Sequence, residues 1–308
     1  MSRKTKGSPV HGWIVLDKPL GLTSARAVAA VKRILGAQKA GHAGTLDPLA
    51  TGVLPIALGE ATKIVSVALG GPKSYRFSLA WGEERSTDDA EGEVTATSAH
   101  RPGRADIEAA LPRFTGSLMQ TPPAFSALKL HGERAYDLAR SGAEVALKPR
   151  PVSIDRLALL DLPDRDHARF EARVGSGTYI RALARDLGRD LGTLAYVTEL
   201  QRISVGCFTL KRAISLAQLE ALGHSAAASG HLLPLETALD DIPALALTES
   251  QAKALRCGQA VTPFSPQDRA RIDQIGEGAR ICATSGGKLV ALAEVASGEI
   301  RPLRVMNV

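Results

Sequence analysis

Apolar and polar positions along the first third of the chain change period several times. Trp13, Ile14, Val15 and Leu16 form a short apolar run that stops at Asp17, Lys18 and Pro19, which predicts a buried strand ending in a proline turn. Thr23 or Ser24 follows as a helix cap, and Val28, Val31, Ile34 and Leu35 then recur on one helical face. Residues 75–81 alternate as a strand does, residues 82–92 form an acidic turn region, and a second strand is predicted near Val94. A short amphipathic helix is expected over 106–114, strands over 152–160 and 170–174, and a helix over about 179–191.

Strands and helices therefore mix without a regular βαβ repeat. The fold class expected is α/β of the α+β type, a mixed, largely antiparallel sheet with flanking helices. Residues 116–141 carry Pro122, Pro123, Lys129, His131, Arg134 and Arg140 and read as a basic excursion from that sheet. Prolines at 234 and 243 mark a boundary. Beyond it, short strands punctuated by Gly286, Gly287 and Gly298 predict a small β-rich domain. The division expected is a basic tail over 1–10, a main domain over 11–240 and a small domain over 245–308.

Composition narrows the class only a little. At 308 residues the chain has room for about two cores, and its net charge of +6 leans towards a polyanionic partner. The cysteines at 207, 257 and 282 are far apart and show no metal spacing, so buried thiols in a reducing compartment are expected. No apolar run approaches membrane-spanning length, and the N-terminus lacks the apolar stretch of a signal peptide. A cytoplasmic protein without membrane attachment is expected.

The candidate chemistry begins at residues 41–52, Gly-His-Ala-Gly-Thr-Leu-Asp-Pro-Leu-Ala-Thr-Gly. Pro48 pushes Asp47 towards extended torsions, and the flanks are apolar, so one carboxylate is set in a loop that packing alone does not demand. The plain alternative is an Asp bonded to its own turn. A second constellation follows a glycine loop: Tyr179 and Arg181 open a helix, where the helix dipole disfavours a cation. A bidentate pair with a carboxylate would account for Arg181, whereas a surface ion pair and a core tyrosine are the competing reading. Neither phosphate-loop pattern of glycines is present.

These segments occur in a familiar order. Residues 17–24, 41–52, 73–75, 120–129 and 177–181 resemble, over nearly the whole chain, the TruB family of bacterial tRNA pseudouridine-55 synthases. Phe125 stands where a Tyr is usual, Gln201 where an Arg is usual, and Val174 where many relatives have Cys. The resemblance implies a pseudouridine-synthase sheet, a thumb insertion over about 116–146 and a PUA-like RNA-binding domain at the C-terminus. It implies that uridine 55 in the T loop of tRNA is isomerised without cofactor or metal, on a nucleotide flipped out of its stack, with Asp47 as the nucleophile.

Within that reading Arg181 aims Asp47, and Tyr179 stacks on the base and helps remove the C5 proton. Tyr75 offers a second aromatic face, and Leu200 closes the pocket. His42 fills the space the base vacates, or as a plain loop histidine bonds nearby backbone. Lys129 and Arg202 bind RNA, while Lys18 and Pro19 support the fold below the site. The partner is tRNA, gripped at the T arm and the acceptor stem by a monomer. Attack at C1′, attack at C6 and a glycal route all remain open. Two other classes compete with this one: a non-catalytic RNA-binding protein, and a metal-dependent phosphoryl-transfer enzyme using Asp47 with Asp88, Asp89 and Glu91. The acidic cluster reads more simply as a solvated face.

Overall fold

A computed structural model describes residues 7–126, 128–130, 132–141, 145–223, 225–262 and 265–307. Within these, the side chains of Lys129, Arg134, Arg140, Pro266 and Gln267 are excluded. The expectation for Lys129 as an RNA-binding side chain, the other basic side chains of the excursion at 131, 134 and 140, and the tail at 1–6 thus lie outside the described residues.

The centre is a mixed sheet whose main path runs Ile214–Ser215, Gly12–Lys18, Ala50–Leu58, Ala195–Val205, Lys73–Trp81, His167–Val174, Arg150–Asp161, Gly116–Gln120. Two pairings on that path are parallel: Ile214–Ser215 with Gly12–Lys18, and Ala195–Val205 with Ala50–Leu58. The others are antiparallel. Alternate residues of Lys73–Trp81 divide between the faces. Tyr75, Phe77, Leu79 and Trp81 enter the core, whereas the Arg76 side chain is well exposed.

Local chemistry accounts for the helices on the core side. In Ser24–Ile34 the Thr23 hydroxyl accepts from the Arg26 amide, and Ser24, Ala27, Val31 and Ile34 are buried at helical spacing. The helix Ile180–Asp190 buries Ile180, Leu183, Ala184 and Leu187 against Phe77, Leu79, Val197 and Phe170. The helix expected over 106–114 is α-helical only at Arg104–Ala110; Pro112 falls in the 3-10 turn Leu111–Phe114 that follows.

One boundary differs from the sequence reading. Residues 116–120 are not part of an excursion but an edge strand, paired from Gly116↔Ile154 to Gln120↔Arg150. Past Gln120 the chain leaves the sheet, forms the small hairpin Lys129–Leu130 with Glu133–Arg134 and the helix Ala135–Arg140, and returns at Arg150.

The C-terminal part holds a four-stranded sheet, Ala244–Ala246, Arg280–Ser285, Lys288–Ala296 and Glu299–Val305. Gly286 and Gly287, at φ +56° and +75°, make the two-residue turn between paired Ser285 and Lys288. Two helices, Glu249–Arg256 and Pro266–Ile275, accompany the strands. Leu289, Leu292 and Met306 share an apolar cluster with Trp13, Val53, Leu235 and Leu239. Lys63 Nζ, at the end of the 3-10 turn Gly59–Lys63 that follows Ala50–Leu58, donates to the Val305 carbonyl at 2.8 Å.

Candidate active site

Asp47 lies in the turn just before the strand Ala50–Leu58, its side chain 38% exposed. Arg181, from the first turn of Ile180–Asp190, reaches it from a distant segment of the chain. Its Nε and Nη2 both lie 3.0 Å from Oδ2 of Asp47. The two nitrogens converge on one oxygen and do not form the side-by-side fork expected from sequence; no bond to Oδ1 occurs among the described residues.

The guanidinium is 5% exposed and is anchored on three further groups. Nη1 donates to the Thr87 carbonyl at 2.8 Å, Nη2 to the Phe125 carbonyl at 2.8 Å, and Asp89 lies 3.5 Å from Nε. The helix has no acid in its own first turn. Asp47 and Asp89, brought in from other segments, supply the negative charge that the Arg at this helix end needs. Burial of the guanidinium makes each of these bonds stronger than it would be in water.

Of the acidic cluster, Glu91 is exposed as expected, but Asp88 and Asp89 do not form a solvated face. Asp89 is 2% exposed, and Asp88 pairs at 3.0 Å with Arg185, whose Nη2 also donates to the Thr121 carbonyl. Burial pushes the Asp88 carboxyl up to about 6, and the Arg185 and Arg181 charges offset only part of that. With Asp88 and Asp89 each committed to an arginine, the described residues hold no group of three or more His, Cys, Asp or Glu suited to a metal ion.

Lys18 is fully buried, and its ammonium donates to the carbonyls of Pro19, Leu22 and Pro48 at 2.9, 2.7 and 3.4 Å. It ties the Pro19 turn to the residue after Asp47. Burial lowers Lys18 to about 8, with the Asp47 charge acting against that shift. Ser24 completes the support: its hydroxyl accepts from the Leu46 amide at 2.8 Å and donates to the Leu46 carbonyl at 2.9 Å.

Arg202, read from sequence as an RNA contact, points the other way. It is 1% exposed, and it donates to the carbonyls of Val53 at 2.8 Å, Gly44 at 2.9 Å and Thr45 at 3.4 Å. Three carbonyls converging on one point need a donor with several N–H groups, and the buried guanidinium supplies them from inside. Gly52, its partner in the parallel register, has φ +96°, and a Cβ there would lie 2.3 Å from the Arg202 carbonyl oxygen, so only glycine fits. Arg202 thus holds the loop that carries Asp47.

Tyr75 is 8% exposed, on the core face of its strand beside Arg202, and Leu200 stands opposite Phe77 and Ala50. Leu46, Tyr75, Ile180 and Leu200 belong to one apolar cluster. His42 ends the short strand Ala40–His42, and its buried Nδ1 makes no hydrogen bond among the described residues. Burial first, and the Arg202 charge second, lower its pKa and favour the neutral ring.

Tyr179 is the N-cap of its helix and half-buried. Gln120, absent from the residues singled out by sequence although it opens the 120–129 motif, grips its peptide. Oε1 accepts from the Tyr179 amide at 2.9 Å, and Nε2 donates to the Tyr179 carbonyl at 3.1 Å. A separate cleft of about 550 Å³ includes Thr51, Arg76, Ser78, Glu199 and Leu200 in its lining, but none of Asp47, Tyr179 or Arg181.

The site thus brings together a half-buried carboxylate and a buried guanidinium that holds one of its oxygens. Residues 32–180 match the TruB family pseudouridylate synthase N-terminal domain, 181–240 the tRNA pseudouridylate synthase B C-terminal domain, and 243–306 a pseudouridine synthase II TruB C-terminal domain. The chain belongs to the TruB family of pseudouridylate synthases, an isomerase family.

It is 57% identical to tRNA pseudouridine synthase B of Bradyrhizobium diazoefficiens over 97% of this chain and 86% of that one. It is 51% identical to the protein of the same name from Caulobacter vibrioides, over 100% and 99%. Among solved structures, a Cbf5-Nop10-Gar1 complex contains a chain that superposes with a TM-score of 0.73 at 26% identity, covering 97% of this chain and 84% of that one.

Proposed function

We propose that this enzyme isomerises uridine 55 in the T loop of tRNA to pseudouridine, with Asp47 as its nucleophile and without a cofactor. The observation that carries this reading is the convergence of Arg181 Nε and Nη2 on Oδ2 of Asp47. Oδ1 is the oxygen left to act, and in attack at C1′, attack at C6 or a glycal route it is the same atom that meets the nucleotide. The reaction breaks C1′–N1, turns the uracil and joins C1′ to C5. The C5 proton leaves, N1 gains one, and no electron is exchanged with another molecule.

The target nucleotide leaves its stack to reach Asp47, as any base worked on inside a folded RNA must. Tyr179 stacks on the extruded base and assists loss of the C5 proton; Tyr75 and Leu200 bound the pocket, and His42 occupies the vacated space. The insertion after Gln120 grips the T arm, and residues 245–308 act as a PUA-like module on the acceptor stem. Such a T loop suits recognition by shape and stacking.

Tritium release from tRNA carrying 5-tritiated uridine tests the proposal. Wild-type protein is expected to release tritium, in excess EDTA as well as without it, and Asp47→Asn is expected to lose release while retaining tRNA in a filter-binding assay. No release from wild type would leave an RNA-binding protein, and release abolished by EDTA would turn the reading towards a metal enzyme.

A further inference from the structure

Arg150 begins the strand Arg150–Asp161, directly opposite Gln120 at the end of Gly116–Gln120. These two register partners are the last sheet residue before the insertion and the first after it. Both act on Tyr179. Gln120, 4% exposed, fixes its peptide on both sides, which still leaves the side-chain torsions free. The Arg150 guanidinium lies over the ring, 5.2 Å from its centroid, within the range of a cation–π contact. Its Nη2 donates to the Gly177 carbonyl at 2.7 Å, two residues before Tyr179, where a φ of +91° requires glycine.

The third donor identifies what sets this placement. Arg150 Nε is buried and has no hydrogen-bond partner. An orphaned buried donor is costly, so the guanidinium is not where its own hydrogen bonding would be most complete. It is where the ring and the Gly177 carbonyl are both met.

We propose that Arg150 is a positioning residue for Tyr179, holding the ring while Gln120 holds the peptide, so that the root of the 121–149 insertion sets the aim of the aromatic side chain. This rests on the reading of Tyr179 as the ring that meets the substrate base.

Full-length protein and a tRNA transcript suffice for the test: single-turnover rates, filter-binding affinities and melting curves for Arg150→Ala, Arg150→Lys and Gln120→Ala, each alone and combined with Tyr179→Leu. Arg150→Ala is expected to lower the rate roughly tenfold to a hundredfold, the scale on which a misplaced reacting partner acts, with tRNA affinity held. Arg150→Lys restores part of the rate, since it keeps the cation and loses the planar fork. Gln120→Ala gives an independent reading should Arg150→Ala melt early. In the Tyr179→Leu background the further loss on removing Arg150 is expected to be less than about twofold, because the partner is gone. An unchanged rate in Arg150→Ala, or the same fold-loss with and without the Tyr179 ring, overturns the inference. Full turnover by Tyr179→Leu overturns it together with the role of Tyr179; an impaired Tyr179→Leu with an additive Arg150 effect overturns this inference alone.

Discussion

Two nitrogens of Arg181 share a single oxygen of Asp47, each at 3.0 Å. The arrangement restrains the carboxylate in two directions and keeps Oδ1 open, and the same guanidinium also bonds the carbonyls of Thr87 and Phe125. A lysine ammonium is a single point of charge and cannot reproduce that set. Arg181→Lys is therefore expected to lower single-turnover release of tritium by about a hundredfold, the scale of losing a preorganised electrostatic contact, with tRNA affinity little altered. A variant of wild-type rate would show that the pair does not aim the carboxylate.

Arg202 gives the opposite expectation. Arg202→Met leaves the carbonyls of Val53, Gly44 and Thr45 without their buried donor. A loss of about 3 kcal/mol is expected from removing charged hydrogen bonds of this kind, read as a lower urea midpoint at unchanged slope. Normal stability with lost tRNA affinity would return Arg202 to the RNA interface.

Lys18 is a second internal clamp. Lys18→Met keeps most of the side-chain volume and removes the donor to Pro19, Leu22 and Pro48. Stability should fall by about 2 kcal/mol, and turnover should fall more than affinity does, because Pro48 adjoins Asp47. Equal fractional losses of affinity and turnover would count against a role confined to the loop.

Asp88 makes stability depend on pH in a defined direction. Its carboxyl is raised from 3.8 to about 6 in the folded protein, so the folded state holds the proton more tightly than the unfolded chain does. The contribution is complete below about pH 4 and is lost as pH rises through about 6, on the order of 3 kcal/mol in all. Asp88→Asn cannot titrate, so relative to wild type it should be less stable at about pH 4 than at about pH 7, the difference being that same amount. Urea midpoints at the two pH values measure it, and a difference that ignores pH would refute the burial argument.

The parts of this site legible in the sequence were those written in short contiguous segments. Asp47 before Pro48, and Arg181 at a helix start without local anions, each posed a problem that the other solves. The inward turn of Arg202 was not legible, because it follows from the parallel register that sets it beside Gly52, and register between distant strands has no local signature. Asp88 and Asp89 read as solvent-facing because the arginines that pair with them are far away in sequence, at residues 181 and 185. Gly116–Gln120 was missed as a strand because it is an edge strand with little apolar content, and its pairing with Arg150–Asp161 lies across the insertion. Gln120 was visible only as part of a motif, since an amide does not announce which peptide it will hold.

The parallel contact between Ala50–Leu58 and Ala195–Val205 joins stretches almost one hundred and fifty positions apart. On the proposed reading, the turn before the first supplies the reacting carboxylate and Leu200, within the second, the wall beside it. No early fragment emerging from the ribosome can therefore carry a rudimentary version of the chemistry. Competence arrives late and all at once, and a nascent chain stalled short of its second half would be inert towards RNA uridine however well its first strands had formed.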